Sequence, residues 1–153
     1  MAPLRLILRY REFNGAIDTV AEHNAIIREH GGVFWGWWRK KHEPGQEAAL
    51  TAIQADLPIK AALLNRDARR LFHAEVSGVS LGCADVRREL VPEYYRDSMI
   101  DVAAWFEFRS EIEEVSYDGE LASQIGGQTL LICNTADDDV ISRPEVPAII
   151  NET

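Results

Sequence analysis

The chain has 153 residues, a length that argues for one domain with room for a sizeable core. Its 46% hydrophobic and 27% charged residues exclude a wholly disordered chain, and no apolar run approaches the roughly 18 residues that a membrane-spanning helix needs. The formal charge of −9 is uneven: residues 1–96 carry +2 and residues 97–153 carry −11. A basic face can therefore be built from the first part, while the acidic part reads first as a solubilising surface.

Arg5, Arg9 and Arg11 interrupt every short apolar run near the start, so no signal peptide is expected. Cys83 and Cys133 are too few for a disulfide scaffold or a Cys-rich zinc site. They fit a reducing setting, and a cytoplasmic location is the expectation.

Leu4 to Arg11 alternates, with Leu4, Leu6, Leu8 and Tyr10 on one face and Arg5, Ile7, Arg9 and Arg11 on the other, the period of a half-buried strand. Asn14-Gly15 breaks it. Thr19 and Glu22 have capping-box spacing, and Ile17, Val20, Ala21, Asn24 and Ile27 share a face, so a helix is expected over 19–30. Gly31-Gly32 stops it. Val33 to Lys41 reads as an aromatic strand with Trp35, Trp37 and Arg39 on one face and Phe34, Gly36 and Trp38 on the other. Ala49, Leu50, Ile53 and Leu57 predict a helix near 45–57, ending before Pro58.

Lys60–Asn65 and Arg69–Val79 read as a hairpin turning at residues 65–68. Residues 82–100 read as a loop or short helix carrying Val91-Pro92-Glu93-Tyr94-Tyr95-Arg96. Val102 to Arg109 alternates again, and Thr129–Cys133 is a short apolar strand. From Asn134 the pattern fades into Asp137-Asp138-Asp139, Pro144 and Pro147, so a domain over 1–133 and a linker or tail over 134–153 are expected. Val146, Ile149 and Ile150 leave open that this tail docks on the domain. Five or six strands with two early helices argue for an α+β domain around a strongly curved, mostly antiparallel sheet.

Three of the four tryptophans fall in four residues, and Arg39, Lys40, Lys41 and His42 follow directly. One strand cannot bury both faces of such a run without large neighbours on each side. An indole left exposed stacks a base, and the adjacent cations meet phosphates. The competing reading puts the tryptophans in the core and the cations in solvent. Gly36 would let a ring come close to the backbone. Arg66, Arg69 and Arg70 form a second basic cluster, and Arg87 with Arg88 a third. Tyr94, Tyr95 and Arg96, in a loop, could wall a pocket. Trp105 reads as core.

Catalytic signals are weak. His23, His30, His42 and His73 lack HExxH or HxH spacing, no GxSxG elbow surrounds Ser77 or Ser80, and no P-loop lysine follows either Gly pair. Glu111, Glu113 and Glu114 read as a solvated face. The Asp137–Asp139 run lacks the ligand spacing of a formed cation site. No catalytic residue, metal or cofactor is expected.

The order of these features resembles the PUA-like superfamily, in particular its EVE and YTH-like branches. The resemblance rests on the strand Leu4–Arg11, the helix ending at Gly31-Gly32 and the aromatic strand Val33–Lys41. It continues through Arg69-Arg70-Leu71-Phe72-His73-Ala74-Glu75-Val76, then Val91–Arg96 with the strand Val102–Arg109, and covers residues 4–133. It implies a small β-barrel with flanking helices that binds RNA or a modified base in an aromatic-lined pocket. A narrower resemblance is to PUA-like domains that precede calcineurin-like metallophosphoesterase domains in prokaryotic proteins linked to RNA repair. The phosphoesterase motifs themselves are missing here. The leading expectation is a binding module for RNA or modified single-stranded nucleic acid. Trp35, Trp37 or Trp38 would stack the base, Arg39, Lys40 and Arg70 would meet phosphates, Tyr94 or Tyr95 would close the pocket, and Arg96 would be a further ligand-binding residue. The rival is an interaction domain that docks a partner, such as an adjoining phosphoesterase domain, through the aromatic patch. A small hydrolase ranks third.

Overall fold

A computed structural model describes residues 4–12, 15 and 17–134. The elements follow in order: β1 (Leu4–Arg9), α1 (Thr19–His30), β2 (Val33–Trp37), α2 (Glu47–Ile53, extended by a 3-10 turn), β3 (Ile59–Asn65) and β4 (Arg70–Ser80). Two 3-10 segments (Arg88–Leu90 and Glu93–Asp101) lead to β5 (Ala104–Phe108), β6 (Glu113–Val115), α3 (Gly119–Gln124) and β7 (Leu130–Asn134). The strands lie in the order β2-β5-β4-β3-β1-β7, with β6 pairing the start of β4. Among the described strands only β1–β3 is a parallel pair. The result is the α+β fold expected from the alternation, a strongly curled, mostly antiparallel half-barrel with flanking helices.

The long β4 is the spine. It pairs β3 along most of its length, β6 at Leu71–His73 and β5 at Val76–Ser80, with a register shift between Val76 and Gly78. A bulge bends a strand and strengthens its twist, which curls the sheet around one interior. That interior holds Leu6, Leu8, Trp35, Trp37, Leu63, Phe72, Val76, Phe106, Phe108 and Leu130, sealed by Val20 and Ile27 of α1 and Leu50 and Ile53 of α2.

Two further apolar layers cover the outside. Ile7, Ala62, Leu64 and Leu71 pack under Leu121, Ala122 and Ile125 of the α3 region. Phe34 and Trp105 pack under Val86, Val91, Tyr95, Met99 and Val102. The second layer supplies the large neighbours that the aromatic run requires, so every residue of β2 is buried, and Trp105 is core as expected. Both faces of β1 are covered as well, and Arg5 is buried where a solvated face was expected.

Several details differ from the sequence expectation. The α1 cap is Asp18, whose carboxylate accepts from Ala21 N at 3.0 Å. Thr19 is the first helical residue, and its N–H and hydroxyl donate to Glu12 at 2.9 and 2.8 Å. Asp18 precedes the helix and can reach its free N–H groups, which removes the need for a capping box. The helix stop is as read, with Gly31 in the left-handed region at φ 84°. β1 ends at Arg9 and β2 at Trp37, so Trp38, Arg39 and Lys40 leave the sheet. The strand β6 and the helix α3 were not anticipated. The expected tail after Asn134, with its Asp run, lies outside the described residues.

Candidate ligand cavity

The main path of the curled sheet ends at β2 and β7, and among the described residues side chains tie these two ends together. Arg39 Nη1 donates to the Glu43 carbonyl at 2.9 Å, folding the loop after β2 back on itself. This brings the Glu43 carboxylate under the chain. It accepts from Lys40 N at 2.9 Å, Thr129 N at 2.7 Å and Thr129 Oγ1 at 2.6 Å. Trp37 Nε1 donates to the same Thr129 hydroxyl at 2.8 Å. Burial alone would raise the Glu43 pKa, but the converging donors of Thr129, Lys40 and Leu130 outweigh it and hold the carboxyl below its ordinary value.

Beside this seam a cavity of about 660 Å³ opens between the end of β1, the end of β2 and the segment around Tyr94. Sites for small ligands span about 300–1,000 Å³, with apolar walls and a few placed polar groups. Here Leu8, Tyr10, Trp35, Trp37, Trp38, Tyr94 and Tyr95 supply the walls, and Arg9, Arg11, Lys40, Thr19, Ser98 and Thr129 supply polar groups.

The rings form an ordered set. Trp38 lies parallel to Tyr95, with centroids 5.6 Å apart and planes at 8°. Tyr95 continues to Tyr94 at 4.8 Å. On the other side Tyr10 meets Trp35 edge-on at 5.1 Å, and His23 backs Trp35 at 4.4 Å. Trp35 and Trp37 are 2% and 3% exposed, whereas Trp38 is 42% exposed. The first two are walls fixed by the core, and Trp38 is the indole with a face to offer. Gly36 makes the arrangement possible, because a Cβ there would sit 3.0–3.2 Å from Val102, Trp105 and Tyr95. The rings it admits are the protein's own.

Burial pushes the Tyr95 phenol up to about 12 and raises those of Tyr94 and Tyr10 further, so all three are neutral hydrogen-bonding groups at pH 7. Burial pushes His23 down to about 4 against its hydrogen bonds to the Thr19 and Phe34 backbone. Its Nδ1 lies 2.7 Å from the Thr19 carbonyl, which requires the proton on that nitrogen.

Of the residues singled out from sequence, Trp35, Trp37, Trp38, Lys40, Tyr94 and Tyr95 line this one cavity. Arg39, Arg70 and Arg96 lie outside its lining. Arg39 is engaged by Glu43. Arg70 forms a two-pronged pair with Glu114 at 2.9 and 3.0 Å, which raises its pKa, and Arg96 Nε donates to the Val91 carbonyl at 3.1 Å. Sequence reading missed Arg9, Tyr10, Arg11, Thr19 and Thr129 as cavity groups. The signal for the two arginines is the Arg5, Arg9 and Arg11 series on one face of the first strand, which the sequence marks only as the other side of a half-buried strand. Among the described residues no three His, Cys, Asp or Glu side chains gather where a metal could sit, and no helix is long and apolar enough to cross a membrane.

Comparison with known proteins returned one family. The model described as Pua-like matches residues 6–137, from within β1 to beyond β7. No curated protein and no solved structure matches the chain. Domains of this family commonly bind RNA and are typically binding modules rather than catalysts. The curled sheet, its aromatic cavity and a match over most of its length place this chain in the PUA-like family.

Proposed function

We propose that this chain binds RNA or a modified nucleotide by taking a base into the cavity between Trp38, Tyr95 and the end of β1. The observation that carries the reading is the half-exposed Trp38, ordered by its stack on Tyr95 at the mouth of a mostly apolar cavity with cations at its rim. Any base has a π face, so such a platform stacks it, and the neutral tyrosines offer hydrogen bonds to its edge. Trp35 and Trp37 act as walls, and Lys40 meets the backbone. Concavity favours a nucleotide over a protein partner, which would use a flatter apolar patch.

In this reading the domain delivers RNA to an enzyme, and the PUA-like domains that precede calcineurin-like phosphoesterases supply the model for an attached or partner enzyme. EVE and YTH-like relatives supply the model for a modified base.

The test is a binding titration with modified and unmodified single-stranded RNA at two salt concentrations. Trp38→Ala should cost about 1–3 kcal/mol of binding, while Lys40→Ala should weaken binding evenly across sequences and flatten its salt dependence. Unchanged affinity in the Trp38 variant would move the reading to partner docking.

A further inference from the structure

A smaller recess of about 130 Å³ adjoins the cavity, sharing Arg9, Tyr10 and Arg11 with it and adding Arg66 and Asp67. It lies where the end of β1 meets the β3–β4 turn. Its cations are held in place. Arg9 donates to the carbonyls of Gly126 and Gly127 at 3.1 and 3.3 Å. Arg66 Nη2 donates to those of Ala122 and Gly126 at 2.7 and 2.8 Å. The Gly126 carbonyl thus receives both guanidinium groups and fixes two like charges side by side. The Arg9 pKa is lowered, by burial first and then by the fields of Arg66 and Arg11.

Three arginines here face one carboxylate, in a chain whose net charge is −9. That carboxylate, Asp67, pairs with Arg11 at 3.3 Å, and both side chains are mostly exposed. Exposed pairs of this kind are weak, so Arg11 can leave Asp67 for a stronger anion. Donors remain available as well. A guanidinium has five N–H groups, and among the described residues Arg9 and Arg66 give only two bonds each, to the carbonyls of the Gly126 region. Planar forks in a fixed arrangement suit the tetrahedral oxygens of a phosphate.

We propose that this recess binds a phosphate of the nucleotide whose base enters the aromatic cavity, so that the ligand is a nucleotide, free or within a strand, and not a nucleoside. The inference rests on the base-binding reading above and adds what it leaves open, the group that anchors the ligand. It moves the phosphate contact from Arg39 and Arg70, which are engaged elsewhere, to the end of β1.

The experiment follows tryptophan fluorescence of the full chain on addition of the four ribonucleosides, their 5′-monophosphates and a single-stranded RNA octamer. Wild type is compared with Arg11→Ala, which among the fold's own contacts removes an exposed pair with Asp67 and should leave the thermal melt intact. Charged hydrogen bonds to phosphate should favour monophosphates over nucleosides by about 10-fold or more. Arg11→Ala should shrink that ratio several-fold, and so should added salt. Equal binding of nucleosides and monophosphates, or a ratio that Arg11→Ala leaves unchanged, overturns the phosphate recess while the base-binding reading stands. A panel in which nothing alters the fluorescence overturns both.

Discussion

At the scale of single residues, neighbouring tryptophans have different jobs because their partners differ. Trp37 spends its indole N–H on Thr129 and its ring on the core. Trp38, one residue later, has left the sheet and stacks on Tyr95. The alternation of β2 told that Trp35 and Trp37 share a face, but not that the strand stops between Trp37 and Trp38. That boundary is set by Glu43, in the loop that follows, together with Thr129, which is distant in sequence. His23 gives a residue-scale prediction. It is fully buried, with a pKa of about 4 against roughly 6.5 in an unfolded chain. The unfolded state therefore binds the extra proton first, and the contribution of the neutral imidazole is present above pH 6.5 and lost as pH falls towards 4. Urea midpoints should decline between pH 6.5 and 4.5. His73, held low by burial and by Arg5 and Lys60, acts in the same direction. Replacing His23 by Gln should leave a visibly shallower decline, and an unaltered slope would show that His23 is not buried neutral.

At the scale of elements, the seam between β2 and β7 decides whether the cavity keeps its shape. Glu43 accepts three of the hydrogen bonds that cross or brace it. An amide in its place would present a donor to groups that themselves donate. Glu43→Gln should thus cost about 1–3 kcal/mol of stability, the range for a buried polar group left unsatisfied, and should weaken ligand binding with it. A chemical-denaturation curve superimposable on wild type would contradict this role. Elements with a sustained period were legible from sequence: α1 over residues 19–30, the β3–β4 hairpin and β5 all appear where alternation placed them. The three-residue β6 and six-residue α3 are too short to establish a period. They exist because Leu71 and Ile7 need a cover on the outer face, a tertiary demand. The parallel pairing of β1 with β3 is likewise invisible locally, since about fifty residues separate the two strands. It is this pairing that carries Arg9 and Arg11 to the β3–β4 turn and Arg66. The basic recess is therefore a product of topology and not of any motif.

At the scale of the whole molecule, acidic residues dominate by number while the cavity mouth is basic. Arg9, Arg11, Arg66 and Lys40 all come from the first 96 residues, the part that carries the positive balance. The sequence after Asn134 reads as a linker. Ending the chain after Asn134 retains all of β7 and should change the melting temperature little. A drop of several degrees, worth about 1 kcal/mol or more in a domain this size, would show that Val146, Ile149 and Ile150 dock on the domain. The central claim concerns where a base goes, and the four indole N–H resonances of the full chain report it directly. On titration with single-stranded RNA, the Trp38 resonance should shift first and furthest. Trp37, hydrogen-bonded to Thr129 at the cavity wall, should shift less, and Trp105, sealed beneath the outer apolar layer, should stay where it is. RNA binding that leaves Trp38 unmoved would contradict the account.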